Sequence, residues 1–142
     1  MKRVVLDASV ALKWYLSEEG DSAEALDLLN RYISDEMEIM APALLQYEVI
    51  NGLMVARKQG RIREEIIVSA IEGFVKLGLR FLGLSDHYSR IVYYCKTYSR
   101  SAYDASYLAL AEAEQIPFIT ADERLYNAVK KELDWVKWLG EH

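Results

Sequence analysis

The sequence predicts an α/β fold, with a mostly parallel central sheet covered on both faces by helices. Short apolar runs of strand type alternate with helical patterns along the chain. The first run, Arg3-Val4-Val5-Leu6-Asp7, ends abruptly in one carboxylate, as a buried strand does when it delivers an acid to the C-terminal edge of a parallel sheet. With 142 residues, 52% hydrophobic and 27% charged, the chain can bury a sizeable core as one domain spanning residues 1–142.

Each element has a local warrant. The first strand covers 3–7, and Val10, Ala11, Trp14 and Tyr15 then recur at helical spacing. Glu18-Glu19-Gly20 breaks that helix, and Asp21 with Glu24 resembles a capping box for a second one ending near Ser34. A strand over 38–42 ends at Pro42, where a third helix starts and runs to about Lys58, with Gly60 as its stop signal. A fourth helix spans 64–76, with Ile67, Ala70, Ile71, Phe74 and Val75 on its apolar face. A third strand covers 80–84, and Ser85 caps a helix through Tyr88, Ile91, Val92 and Cys95. A helix over 102–115 precedes a fourth strand over 117–120. Asp122 opens a helix to about Leu133, and 135–138 forms a terminal edge strand. Right-handed crossovers put the strand C-termini on one edge.

Composition removes several function classes. A formal net charge of −5 argues against nucleic-acid binding through bulk positive charge, though not against a carboxylate nuclease whose site a divalent cation neutralises. One cysteine, Cys95, cannot build an intrachain disulfide framework. Two histidines, His87 and His142, are not spaced as a zinc pair. Without a signal peptide or an apolar run of about 18 residues, the expected location is the cytoplasm, with no membrane contact. No phosphate-binding glycine loop is present.

Four acids stand out by position. Asp7 leaves the first strand, and Asp122 lies just beyond Thr120 at the end of the fourth; in a parallel sheet these tips point the same way. Asp104 heads a helix whose stripe carries Tyr107, Leu108 and Ala111. Glu48 lies inside its helix among Leu44, Leu45, Asn51 and Gly52, a face on which a carboxylate is costly to bury without a cationic partner. Each has an ordinary alternative: Asp7 and Asp122 as helix caps, Asp104 as the far end of a capping box from Ser101, and Glu48 as an exposed helix residue. Only their joint placement is specific. Converging carboxylates repel one another, so they must share protons or bind a cation. All-oxygen ligation suits Mg²⁺ or Mn²⁺, which can support in-line displacement at phosphorus.

Four segments carry a family resemblance: Val5-Leu6-Asp7-Ala8-Ser9-Val10-Ala11-Leu12, Tyr47-Glu48-Val49, Tyr103 to Ala111, and Phe118 to Leu125. With these the chain resembles the PIN-domain family and, within it, the VapC-type toxins of toxin–antitoxin pairs. The resemblance implies a three-layer α/β/α sandwich and a Mg²⁺- or Mn²⁺-dependent ribonuclease. It implies Asp7, Glu48, Asp104 and Asp122 as the acidic quartet. Asp7 and Asp104 are the most direct metal ligands, and Glu48 and Asp122 act partly through water or at a second ion. Ser9 and Thr120 match hydroxyl positions that orient the acids or a scissile phosphate. It further implies an RNA substrate, a homodimer and a small VapB-like antitoxin. Nothing is carried over for 60–83.

Lys13, Arg100 and Arg124 lie near these motifs, and at least one is expected on substrate phosphate. Arg57, Lys58, Arg61 and Arg63 read first as a solvated helix end. An aspartyl-nucleophile phosphatase would need a second Asp where Ser9 stands, which disfavours that reading. The remaining alternatives are a PIN-like scaffold that binds RNA or protein without cutting, and a solitary RNA-processing nuclease.

Overall fold

A computed structural model describes residues 1–16 and 20–141. Among these residues five strands form one sheet: β1 (Lys2–Leu6), β2 (Met37–Pro42), β3 (Arg80–Leu82), β4 (Phe118–Thr120) and β5 (Val136–Trp138). Their order is β3-β2-β1-β4-β5, and every pair is parallel. The sheet grows from β1 towards β3 in one direction and towards β5 in the other. The switch point therefore lies between β1 and β4, where α/β sheets open a crevice at the strand C-termini. The register there pairs Val5 with Phe118 and Leu6 with Ile119. Asp7 and Thr120 thus follow directly at the open edge.

Among the described residues, seven α-helices flank the sheet in an α/β/α arrangement: α1 (Ala8–Ala11), α2 (Ser22–Ile33), α3 (Leu45–Lys58), α4 (Glu64–Lys76), α5 (Tyr88–Tyr98), α6 (Ala102–Glu114) and α7 (Glu123–Val129). The Val-Val-Leu run of β1 is fully buried, as a central strand covered on both faces requires. Helix α3 buries Leu45, Val49, Leu53 and Ala56 at helical spacing. Helix α6 packs on β1, β2 and β4 and is buried almost continuously from Tyr107 to Ala111. It carries the core towards the edge where Asp104 sits.

Local expectations differ from the structure in several places. The first helix begins at Ala8 rather than Val10 and tightens into a 3₁₀ turn over Leu12–Trp14. Glu18 and Glu19, read as its breaker, lie outside the described residues, as does His142. Asp21 precedes α2 in a left-handed conformation (φ 62°) and makes no side-chain cap bond, because capping requires an extended backbone at that position. Pro42 is the last residue of β2, paired with Leu82, and α3 starts three residues later. Ser85 lies in a turn, and α5 begins at Tyr88 without a side-chain cap. Helix α7 ends at Val129, earlier than Leu133. Val75 and Val92 are exposed rather than core-facing. Gly60 stops α3 as expected, with φ 72°, a conformation that costs glycine little.

Candidate active site

The site is built around Asp7, a carboxylate buried to 6% exposure at the tip of β1. Its backbone is extended, so it caps α1, and Oδ1 accepts from the Ser9 amide at 3.1 Å and the Ser9 hydroxyl at 2.5 Å. Oδ2 accepts from the Thr120 hydroxyl at 2.6 Å. Both hydroxyls then tie the neighbouring strand end: the Ala121 amide donates to Ser9 Oγ at 2.8 Å and the Asp122 amide to Thr120 Oγ1 at 3.0 Å. The capping reading and the strand-tip reading of Asp7 are both true. Ser9 and Thr120 fix the carboxylate and fasten β4's exit to β1's exit.

Asp122 caps α7 by accepting from the Leu125 amide at 3.2 Å. At α6, Ser101 is the cap and accepts from the Asp104 amide at 3.0 Å. The Asp104 side chain is left half-buried with Arg100 3.8 Å away. The Glu48 carboxylate, half-buried on α3, accepts from the Tyr107 hydroxyl at 2.5 Å. In sequence Tyr107 reads only as part of the apolar stripe of α6; its place three residues after Asp104, on the inward face, is the signal that marks it. Gly52 lies where α3 meets the turn that follows Asp7: a Cβ there would fall 2.4 Å from a terminal methyl of Leu12, so a larger residue would require that side chain to turn aside.

The acids share one electrostatic environment. Burial pushes the Asp7 carboxyl up to about 7 from an ordinary 3.8; the Ser9 and Thr120 hydrogen bonds oppose the rise, and the charges of Asp122 and Glu48 add to it. Burial also raises Glu48, with Tyr107 opposing and Asp104 adding to the rise. Asp104 is raised by burial and by Asp122, with Arg100 opposing. The fold therefore gathers these carboxylates at the switch point, and Arg100 opposes the charge at Asp104. Among the described residues, however, no three acidic or histidine side chains come together as a ready-made metal cluster. The donor set nevertheless fits a hard divalent cation of the Mg²⁺ type, which binds through one or two carboxylates and keeps several waters. Of the other cations expected here, Lys13 is half-buried in the 3₁₀ turn and Arg124 is exposed on α7.

A family model for the PIN domain matches residues 4–131. Among solved structures, PAE2754 of Pyrobaculum aerophilum is similar at TM-score 0.63 and 19% identity, over 98% of this chain and 92% of that one. A toxin–antitoxin complex from Klebsiella pneumoniae is similar at 0.62 and 18%, over 98% and 99%. VapC20 of Mycobacterium tuberculosis, a sarcin-ricin-loop-cleaving toxin, is similar at 0.62 and 14%, over 89% and 95%. At these identities the likeness is one of fold. No curated protein matches the sequence.

Proposed function

Because the chain belongs to the PIN-domain family, we propose that it is a Mg²⁺- or Mn²⁺-dependent endoribonuclease, the toxin of a VapBC-type pair. In this reading residues 1–142 are one nuclease domain, working as a cytoplasmic homodimer and held in check by a small VapB-like antitoxin. The likeness to a toxin–antitoxin complex and to an RNA-cleaving toxin supports this choice within the family. The observation that carries it is the buried Asp7 carboxylate, pinned on both oxygens and set within the fields of Glu48 and Asp122.

Asp7 and Asp104 would hold the metal directly, and Glu48 and Asp122 would act through water or at a second ion. Bound there, the metal would lower the pKa of a water and offset charge on a phosphate in flight. The protein's own residues do the positioning. Ser9 and Thr120 hold Asp7 in one rotamer, with both hydrogens donated to the charged form. Tyr107 does the same for Glu48. Arg100, 3.8 Å from Asp104, would meet a substrate phosphate held by the metal.

A non-catalytic scaffold is the second reading, favoured by the lack of a preformed three-acid cluster among the described residues. A mixed RNA pool separates the two. Cleavage with Mn²⁺ or Mg²⁺ that EDTA stops and added metal restores supports the nuclease. RNA retained intact by the unmodified protein, with metal present, supports the scaffold.

A further inference from the structure

The acids do not stand alone at the open edge: their chain neighbours build a groove beside them. Ala8 follows Asp7, Tyr47 precedes Glu48, and Tyr103 precedes Asp104; together with Leu44, Glu48 and Asn51 they line a groove of about 640 Å³, within the range of small-molecule sites. Tyr47 is 74% exposed and Tyr103 is 64% exposed. Among the described residues neither ring enters an aromatic pair. Two large aromatic faces are thus held in water on separate helices, α3 and α6, at the rim of the acid site. Asn51 lies four residues after Tyr47, on the same side of α3, and offers amide donors and an acceptor.

The chemistry of this groove is selective. Its charged side chain is Glu48, and the chain as a whole carries −5, so backbone phosphates gain little from it electrostatically. An uncharged π-face is what two tyrosines bind well, and an amide recognises the edge of a base. Bases in a duplex are stacked on one another and hide their faces; only unpaired ones can be splayed onto protein rings. We infer that Tyr47 and Tyr103 are a stacking platform for unpaired nucleobases next to the scissile phosphate, with Asn51 reading the edge of one of them. The site is thereby restricted to single-stranded or looped RNA. The inference rests on the nuclease reading and adds to it the element that selects substrate.

The test compares the unmodified protein with Tyr47→Ala, Tyr103→Ala and the Phe variant at each position, using a short unstructured oligoribonucleotide and a duplex of equal length. Both rings are exposed, so truncation leaves the core intact, and circular dichroism checks this. Loss of one stacked base is expected to raise KM or Kd about tenfold with little change in kcat. Phe should restore most of it, because the ring face and not the hydroxyl is used. The unmodified protein should bind the duplex at least about tenfold more weakly. In Tyr103→Trp, RNA should quench the new indole's fluorescence. If the Ala variants cleave and bind unstructured RNA like the unmodified protein, the platform is refuted while the nuclease stands. The same holds if they lose self-association or a protein partner at unchanged RNA affinity. If the unmodified protein neither binds nor cleaves RNA, the nuclease reading fails and the platform fails with it.

Discussion

The Thr120 hydroxyl donates to Asp7 Oδ2 at 2.6 Å while its oxygen accepts the Asp122 amide at 3.0 Å, joining two candidate acids through one side chain. Thr120 is fully buried, so water cannot replace either bond. Thr120→Val keeps the shape and loses both. The expected cost is about 1–3 kcal/mol of unfolding free energy, because a buried carboxylate and a buried amide each lose a partner. Thr120→Ser should recover most of it. Urea unfolding measures both, and a Val variant as stable as the unmodified protein would contradict the linkage.

Asp7 itself should lower the stability of the metal-free protein at neutral pH. Its folded value, about 7, lies above its ordinary 3.8, so the protonated form is favoured by folding. That contribution is complete below about 4 and is lost as pH rises to about 7. Asp7→Asn removes the titration. Without metal, the variant should melt at higher temperature than the unmodified protein at pH 7.5, and the gap should close towards pH 4. Adding Mn²⁺ should raise the melting temperature of the unmodified protein and leave Asp7→Asn nearly unmoved.

The positions of Asp7, Asp104 and Asp122 were legible from sequence because each sits at a strand end or a helix start, marked by apolar runs and Ser101, and Glu48 stood out as a carboxylate on an apolar helix face. The strand count was legible for the same reason. Cap geometry was less so. Asp21 carries the right residue type with the wrong backbone, and Ser85 lies within a turn rather than at a helix start. Neither is visible without φ and ψ. The Tyr107–Glu48 bond joins residues 59 apart and depends on how α3 rotates against α6. Gly52 reads as a helix-weakening residue until the Leu12 side chain is seen beside it.

Tyr107→Phe tests that long-range bond. The Tyr107 ring is buried and stacks on Phe118, so Phe preserves the packing. Without the hydroxyl, Glu48 loses what opposes its rise and shifts further up. Stability should fall by about 1 kcal/mol. The acid limb of the cleavage–pH profile should move to higher pH. An unchanged profile would separate Glu48 from the reaction.

On the α5–α6 side, Arg90 holds Glu112 in a two-pronged ion pair at 2.6 and 2.7 Å, and Tyr94 donates to the same carboxylate. Arg90, then Tyr94, keep Glu112 below its ordinary 4.5. A depressed carboxylate contributes stability above its unfolded value and loses it as pH falls through its folded value. Glu112→Gln should therefore lower the melting temperature at pH 7, modestly because the pair is partly exposed. The loss should shrink as the pH is lowered beyond the ordinary 4.5 of a glutamate. A loss that stays constant on acidification would mean that packing, not charge, is what Glu112 supplies.

The most direct measurement is single-turnover RNA cleavage at saturating Mn²⁺ by the unmodified protein, Asp7→Asn and Asp104→Asn, each first shown to be folded. An acidic metal site working on phosphodiesters predicts cleavage by the unmodified protein and a loss of about 10³-fold or more in either variant, the scale of several kcal/mol in the barrier. Cleavage at undiminished rate in both variants would contradict the site.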